Sequence, residues 1–552
     1  MNKSTWIRDA FFIAVVAGVV LSIGYSLMSS DRIEMPENYA PNSQHRQQIE
    51  DVVARVDLAF RDMWEEADVE PAEHADPLTI ARRLGLGLAG TIPSLEEIRV
   101  MESLPEEDRV YWWVTRLLQD ERTGDHIAER YMRALVGVED GPFLIFRRRR
   151  FRSWMAERFL EQEPYDKLVR QILTDEGIWT DTPSVNFYTR AVSEDNGEQP
   201  DPILLAGRTS RAFLGMRIDC LQCHDDFLGN IDLGSASEPR GGMQTDFHSL
   251  AAFFAQTENS VLGIRDNPER GPYMYKLLDE NEESEIEAQV PFLNELDDGQ
   301  GNLRGRLARW VTHEDNRPFA RAAVNRMWAI MTGRALLQPV DDIPIDGPFP
   351  PAMEVLADDF VHHNFDLHRL IHVISQTRAY QLASTHRDEV TQEHVSNWAV
   401  YPMVRLRPDQ AAGAIAQSTQ FSTIDKTAHI LTRLTKFGQE NDFIQRFGDP
   451  GEDEFEDRGE TVTQRLLMLN GNMISERLKS VLSSCSLLSQ LSPNAETTVE
   501  TVYLATLSRR PNQDEKERFI AVVEDKFGND RKREVLDIYW SLINSAEFRW
   551  NH

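Results

Sequence analysis

Apolar side chains in this chain recur at intervals of three and four residues and rarely alternate at two. Ile49, Val53, Val56, Phe60 and Met63 form one such stripe, the spacing that lines one face of an α-helix. Start signals agree with it. Asp76-Pro77 supplies an N-cap and a first helical position for a helix through Leu84. Ser94-Leu95-Glu96-Glu97 is a capping box, and Asn512-Gln513-Asp514-Glu515 repeats its logic near the C-terminus. Further helical stretches are expected at Tyr165–Thr174, Phe247–Gln256, Leu303–Val311, Phe319–Thr332, Ala352–His362 and Leu367–Tyr380. With so few period-two runs the chain cannot form an extensive half-buried sheet. The expected fold is mainly α, with a single N-terminal transmembrane helix followed by two helical domains with irregular loops. Residues 176–209, 228–246, 339–351 and 448–460 read as those loops.

The transmembrane expectation comes from the first 40 residues. Lys3 and Arg8 precede an apolar run from Ala10 to Met28, and Asp31, Glu34 and Glu37 follow it. Such a run just crosses a bilayer core as a helix. The flanking charges place residues 1–9 in the cytoplasm and the bulk of the chain outside, on the periplasmic side. No small-residue cleavage site follows, which favours an uncleaved anchor over a signal peptide. The expected organisation is a tail (1–9), an anchor (10–28), a linker (29–45), a first domain (46–277), a charged linker (278–300) and a second domain (301–552). The 552-residue chain carries 90 acidic against 59 basic residues, a net charge of −31. That excludes nucleic acid as the main partner, since phosphate contacts need a basic footprint.

Three cysteines are too few for a disulfide framework. Two of them lie in Cys220-Leu221-Gln222-Cys223-His224, the pattern of c-type haem attachment. Two thiols at this spacing can each add to a haem vinyl group, and the adjacent histidine then reaches the iron as an axial ligand. Haem c is therefore the expected cofactor, with electron transfer, and a redox protein as partner, its expected use. For the sixth iron ligand the candidates nearby are Met216, Met243 and His248. A zinc site or a disulfide at the same cysteines stays open, which would make the chain a non-catalytic envelope binding or scaffold protein. Cys485 stands alone in an apolar helical pattern and reads as core.

Other constellations carry less. Arg147-Arg148-Arg149-Arg150-Phe151-Arg152 is a compact basic run that reads as a solvated helix face. His362, His363, His368 and His372 form a histidine-rich stretch without a zinc-protease motif. The acidic loop from Asp449 to Asp457 lacks calcium-loop spacing. An enzyme acting on an envelope polysaccharide would draw on Arg326, Asp341 and Asp342, but no paired-carboxylate pattern is visible.

Several segments, in order, resemble one bacterial family. Arg82-Arg83-Leu84 through Ile92-Pro93-Ser94 is similar to its "RRLxLDLxGxxPT" opening, and Pro164-Tyr165-Asp166-Lys167-Leu168-Val169-Arg170 to "PYDxFVR". Phe213-Leu214-Gly215 through Cys223-His224-Asp225 is similar to "FLGxxxxCxxCHDH", and Leu250–Ala255 to "LAAFFA". Asp315–Trp328 is similar to "DNPxFARxxVNRxW", and Gly333–Leu337 with Asp341-Asp342 to "GRGLVxxxDD". Gln464–Asn470 and Asn544–Phe548 are similar to the closing signatures. The chain thus resembles the planctomycete cytochrome-like two-domain family, domain of unknown function 1549 followed by domain of unknown function 1553. The resemblance implies export, a cytochrome-like character and an association with polysaccharide-handling repertoires. One residue departs from the pattern: the family's second histidine is Asp226 here.

Overall fold

The computed structural model describes residues 43–552 together with residues 35, 36 and 39, apart from 139–140, 143, 194–196, 228, 230, 234–239, 429, 450, 452–454, 456–458 and 481–482. The apolar run at 10–28 lies outside the described residues. Among the described residues no helix is long and apolar enough to cross a membrane.

The fold is mainly helical, as expected. The first helix, Gln44–Glu66, begins where the Ser43 hydroxyl accepts the Arg46 N–H at 3.2 Å. It buries Ile49, Val52, Val56, Phe60 and Trp64. The buried stripe is thus rotated slightly from the expected one, with Val53 and Met63 at its margin. The helix Pro77–Ala89 is capped by Asp76 and stopped by Gly90 at φ 63°. Ten of its residues are buried, Leu78 and Ile80 through Leu88, so it runs through the interior rather than along the surface.

Two apolar cores form. The larger joins helices from Gln44 onward with Leu303–Val311, Arg317–Thr332, Pro351–His362 and Leu367–Gln376, and runs to Tyr401, with Leu504 added from further along the chain. The smaller is built from residues 406–548 together with Leu86 and Ile92. Packing among the described residues therefore divides near residue 402. The charged stretch at 278–300 packs as well. Ile286, Val290 and Phe292 are buried, the Trp310 indole N–H donates to the Phe292 carbonyl at 3.2 Å, and Ser284–Ile286 pairs antiparallel with Tyr273–Tyr275. Its charged residues alternate with apolar ones, so one side faces water while the other packs.

The expected loop at 176–209 is also structured. It contains the helix Asn186–Thr189, the strand pair Val192–Ser193 with Gln199–Pro200, and the helix Pro202–Thr209, and it buries Val185, Phe187 and Tyr188. These elements are too short to show a period. Two other strand pairs, Thr257–Ser260 with Gly263–Asp266 and Val404–Arg405 with Trp550–Asn551, complete the sheet structure among the described residues.

Two buried arginines of the Pro77–Ala89 helix tie the cores together. Arg82 donates to the carbonyls of Thr506 and Phe548, each at 3.0 Å. Arg83 donates to the carbonyls of His552 (2.6 Å), Tyr380 (3.1 Å) and Leu382 (2.8 Å) and lies 3.7 Å over the Tyr401 ring. Burial without a carboxylate contact pulls both guanidinium pKa values down to about 10, which still leaves them charged at neutral pH.

Candidate haem-attachment turn

The helix Pro202–Thr209 continues into a wider π turn, Ser210–Leu214, and stops at Gly215 with φ 64°. Such insertions re-aim the chain. Met216 and Ile218 then pack inward, and the chain makes a single 3-10 turn, Asp219–Gln222. Leu221 is fully buried and plugs the turn into the core, while Cys220, Cys223 and His224 are exposed. Both thiols are free. Partial burial, and then the carboxylates of Asp226 and Asp219, push the Cys220 thiol pKa up, so it stays a protonated thiol at neutral pH.

The turn is held from behind. The Gln222 carbonyl, between the two cysteines, accepts hydrogen bonds from Gln244 Nε2 (3.1 Å) and His248 Nε2 (3.0 Å). A carbonyl only accepts, so the proton of neutral His248 is on Nε2 and Nδ1 accepts the Tyr273 hydroxyl at 3.0 Å. The His248 ring is buried, stacks 3.6 Å from Tyr275 and is held neutral by a pKa that burial lowers. Asp225 Oδ1 accepts the backbone N–H of Gln244 at 2.7 Å, at the start of the helix Gln244–Ala252.

His224 is oriented by one bond. Its Nδ1–H donates to the Asp225 carbonyl at 2.7 Å, and its ring lies 6.2 Å from Phe227, which is 79% exposed. Nε2 has no partner among the described residues. A metal-binding histidine typically donates its other ring N–H in this way, which fixes the tautomer and leaves one nitrogen for the metal.

The sixth-ligand candidates separate clearly. His248 has both ring nitrogens engaged and cannot reach an iron without breaking the support of the turn. Met216 is 5% exposed and belongs to the core. Met243 is 43% exposed beside Gln244 and is the candidate that stays accessible. Asp226, which replaces the family histidine, accepts the backbone N–H groups of Gly229 (3.1 Å) and Ile231 (2.5 Å) and so holds the following loop.

The residues considered for polysaccharide chemistry do not form a cleft of their own. Arg217 Nε and Nη2 both reach Asp341 Oδ1 at 2.8 Å. Arg211 bridges Asp219 (3.0 Å) and Asp341 (3.8 Å), and Arg326 donates to the Arg211 carbonyl at 3.5 Å. Asp342 sits beside them with its pKa raised by burial. Asp341 and Arg326 thus brace the segment leading into Cys220. Arg211, Arg217, Asp219, Gln244, Tyr273 and Tyr275 were not legible as site residues in the sequence, and His248, expected as a candidate ligand, supports the turn instead. Their partners lie up to about 130 residues away.

The remaining candidates are structural. Arg148 and Arg152 face Glu129 and Asp125 on the neighbouring helix. His368 Nε2 donates to the Phe159 carbonyl at 2.9 Å, and His372 is buried against Tyr111. Cys485 is fully buried, as expected. Among the described residues no group of three or more His, Cys, Asp or Glu is placed to hold a metal ion.

The donor set fits haem c. Two free thiols and one imidazole nitrogen face outward from a turn anchored by Leu221. Exposed Phe227, Met243 and Leu278 supply apolar surface on segments joined to that turn, Leu278 through its N–H to Gln244 Oε1 at 2.9 Å.

Comparison with known families gives two matches. PSCyt2, a protein of unknown function (DUF1549), matches residues 55–259. PSD1, a protein of unknown function (DUF1553), matches residues 303–523. No curated protein and no solved structure matches the chain.

Proposed function

The chain belongs to the two-domain family that joins PSCyt2 and PSD1 in this order, and from that premise we propose that it is a membrane-tethered, extracytoplasmic carrier of c-type haem. Cys220 and Cys223 would hold the haem through their sulfur atoms, and His224 Nε2 would ligate its iron. Bound there, haem supplies a one-electron redox centre. The observation that carries this reading is the pose of His224: Nδ1–H is satisfied by the Asp225 carbonyl and Nε2 is left outward beside two free thiols.

The chain's own residues orient and hold this unit. Asp225 sets the tautomer. His248 and Gln244 fix the Gln222 carbonyl and with it the spacing of the two thiols. The exposed position leaves the redox group open to a protein partner, the arrangement an electron carrier needs. The anchor at residues 10–28 then confines it to the membrane surface, a role supported by the charge asymmetry about that run.

Expression with an intact haem-attachment system, followed by a pyridine haemochrome spectrum and haem staining of a denaturing gel, tests the proposal. Covalent haem is expected in the parent chain, with its loss on Cys220→Ala plus Cys223→Ala. His224→Ala is expected to keep some covalent stain with an altered Soret band. Absence of covalent haem in the parent chain overturns the proposal. A reporter active only outside the cytoplasm, fused after residue 45, tests the orientation.

A further inference from the structure

The strands Tyr273–Tyr275 and Ser284–Ile286 make a hairpin with two unlike faces. On the inward face the Tyr273 hydroxyl bonds to His248, the Tyr275 ring stacks on it, and Ile286 is buried. Just beyond the hairpin the Gln289 N–H donates to the Ser249 carbonyl at 3.3 Å, a second tie to the helix Gln244–Ala252. On the outward face Met274 lies opposite Glu285, and both are exposed. The connection between the strands, residues 276–283, is exposed apart from Leu277.

This connection reaches the cysteine turn through one side chain. Gln244 Oε1 accepts the Leu278 N–H at 2.9 Å, and Gln244 Nε2 donates to the Gln222 carbonyl, between the two cysteines, at 3.1 Å. A protein seated on the outward face and the connection would therefore lie beside Cys220, Cys223 and His224.

The charge of the surface is one-sided. Residues 273–290 carry six carboxylates and a single cation, Lys276. Glu280 accepts the Ser284 hydroxyl at 2.7 Å. Asp279, Glu282, Glu283 and Glu285 are exposed and form no ion pair among the described residues. Arg240, at the exit of the hairpin, is taken by Asp246 (2.7 Å) and the Pro291 carbonyl (3.0 Å). The neighbouring loop 228–239 contains no lysine or arginine. Leu278, 64% exposed, and Met274, 46% exposed, supply apolar surface among these carboxylates. An apolar patch inside a charged rim is the make-up of a protein interface, and a rim of one sign steers in a partner of the other.

We infer that the outward face and connection of this hairpin dock an electron-transfer protein whose contact face is rich in lysine and arginine. The inference rests on the reading of the cysteine turn as a redox centre, and it names the chemistry of the partner and the place where it sits.

Calorimetric titration of the purified full chain tests it, with a small basic cytochrome c, its haem edge ringed by lysines, against an acidic flavodoxin. The cytochrome is expected to bind and the flavodoxin not, with affinity falling as salt is raised. Replacing the three unpaired carboxylates of the connection together, Asp279→Asn with Glu282→Gln and Glu283→Gln, is expected to raise Kd about tenfold. A matched control guards against the general charge of the chain: Asp51→Asn with Glu65→Gln and Glu66→Gln, on the exposed side of the Gln44–Glu66 helix, is expected to change Kd by less than about twofold. Should the first variant melt below the parent, Glu285→Gln on the outward strand face gives the same readout in smaller measure. Equal losses in the two triple variants, or no binding of the cytochrome, overturn the inference. The titration needs no haem on the chain. A chain without haem that binds through the hairpin supports the docking surface and overturns only the proposed function, whereas a haem-bearing chain that does not bind overturns only the docking surface.

Discussion

At the scale of single residues, two positions turn out to do something other than their type suggests. Asp226 stands where relatives carry a histidine, yet it is a loop cap, with its carboxylate taking the N–H groups of Gly229 and Ile231. A histidine cannot accept both. Asp226→Ala is expected to destabilise the chain by about 1 kcal/mol, read by chemical denaturation, while leaving any haem stain in place. A lost stain would instead make Asp226 part of the site. His372 is the second case. It is buried with its Nδ1 unbonded, and burial, with His45, His368 and Arg369 nearby, pulls its pKa down to about 3. In the fold it stays neutral to that pH, whereas in the unfolded chain it takes a proton below about 6.5. Between these values the unfolded state binds the extra proton, so stability falls as pH falls, by up to roughly 1.4 kcal/mol per unit. Buried His126 and His368 add to the same trend. His372→Leu is expected to keep stability at pH 7 and to flatten the slope of stability between pH 6 and 4, about one pH unit inside each limit. An unchanged slope in a pH series of denaturation midpoints would refute this.

At the scale of elements, the cysteine turn shows how a surface motif is held rigid. The turn itself is one 3-10 turn with no stability of its own. Its position comes from Leu221 beneath it, from the Gln222 carbonyl bonded to Gln244 and His248, and from Arg211 clasping Asp219. His248→Phe keeps the stack on Tyr275 and removes the N–H donor. The expected loss is about 1–2 kcal/mol, with hydrogen exchange faster at residues 219–223 than elsewhere. Uniform acceleration across the chain would mean that His248 serves the core and not the turn. The motif was legible in the sequence because its chemistry is local. Its support was not, because Tyr273, Asp341 and Arg217 reach it only after the chain has folded back. The helices were legible for the same local reason, through caps at Ser94 and Asn512 that form as expected. The elements between 176 and 209 were not, since they span only two to eight residues each, too few to show a clear period.

At the scale of the whole molecule, sequence units and packing units differ. The two family matches leave a gap between residues 259 and 303, yet the larger core runs through that gap to Tyr401. Arg82 and Arg83 explain how the smaller core is joined to it. Their donors reach carbonyls up to 469 positions away in the chain. Arg83→Lys retains the charge but not the planar fork, and is expected to cost about 3 kcal/mol, mostly through carbonyls left without a donor. Differential scanning calorimetry reads the consequence: loosened coupling splits one transition into two. A single transition at the parental temperature would show that the cores are joined by other contacts.

The sequence by itself determined the helical class, the helix starts and the haem-type spacing of Cys220, Cys223 and His224, because periodicity, capping and short motifs act over a few residues. The tertiary structure alone decided that Asp341 braces the cysteine turn, that His248 supports it rather than offering a ligand, and that Arg82 and Arg83 tie the two cores together. Each of these depends on hydrogen bonds, ion pairs and burial between residues far apart in the chain, and such contacts exist only once long-range packing has brought them together.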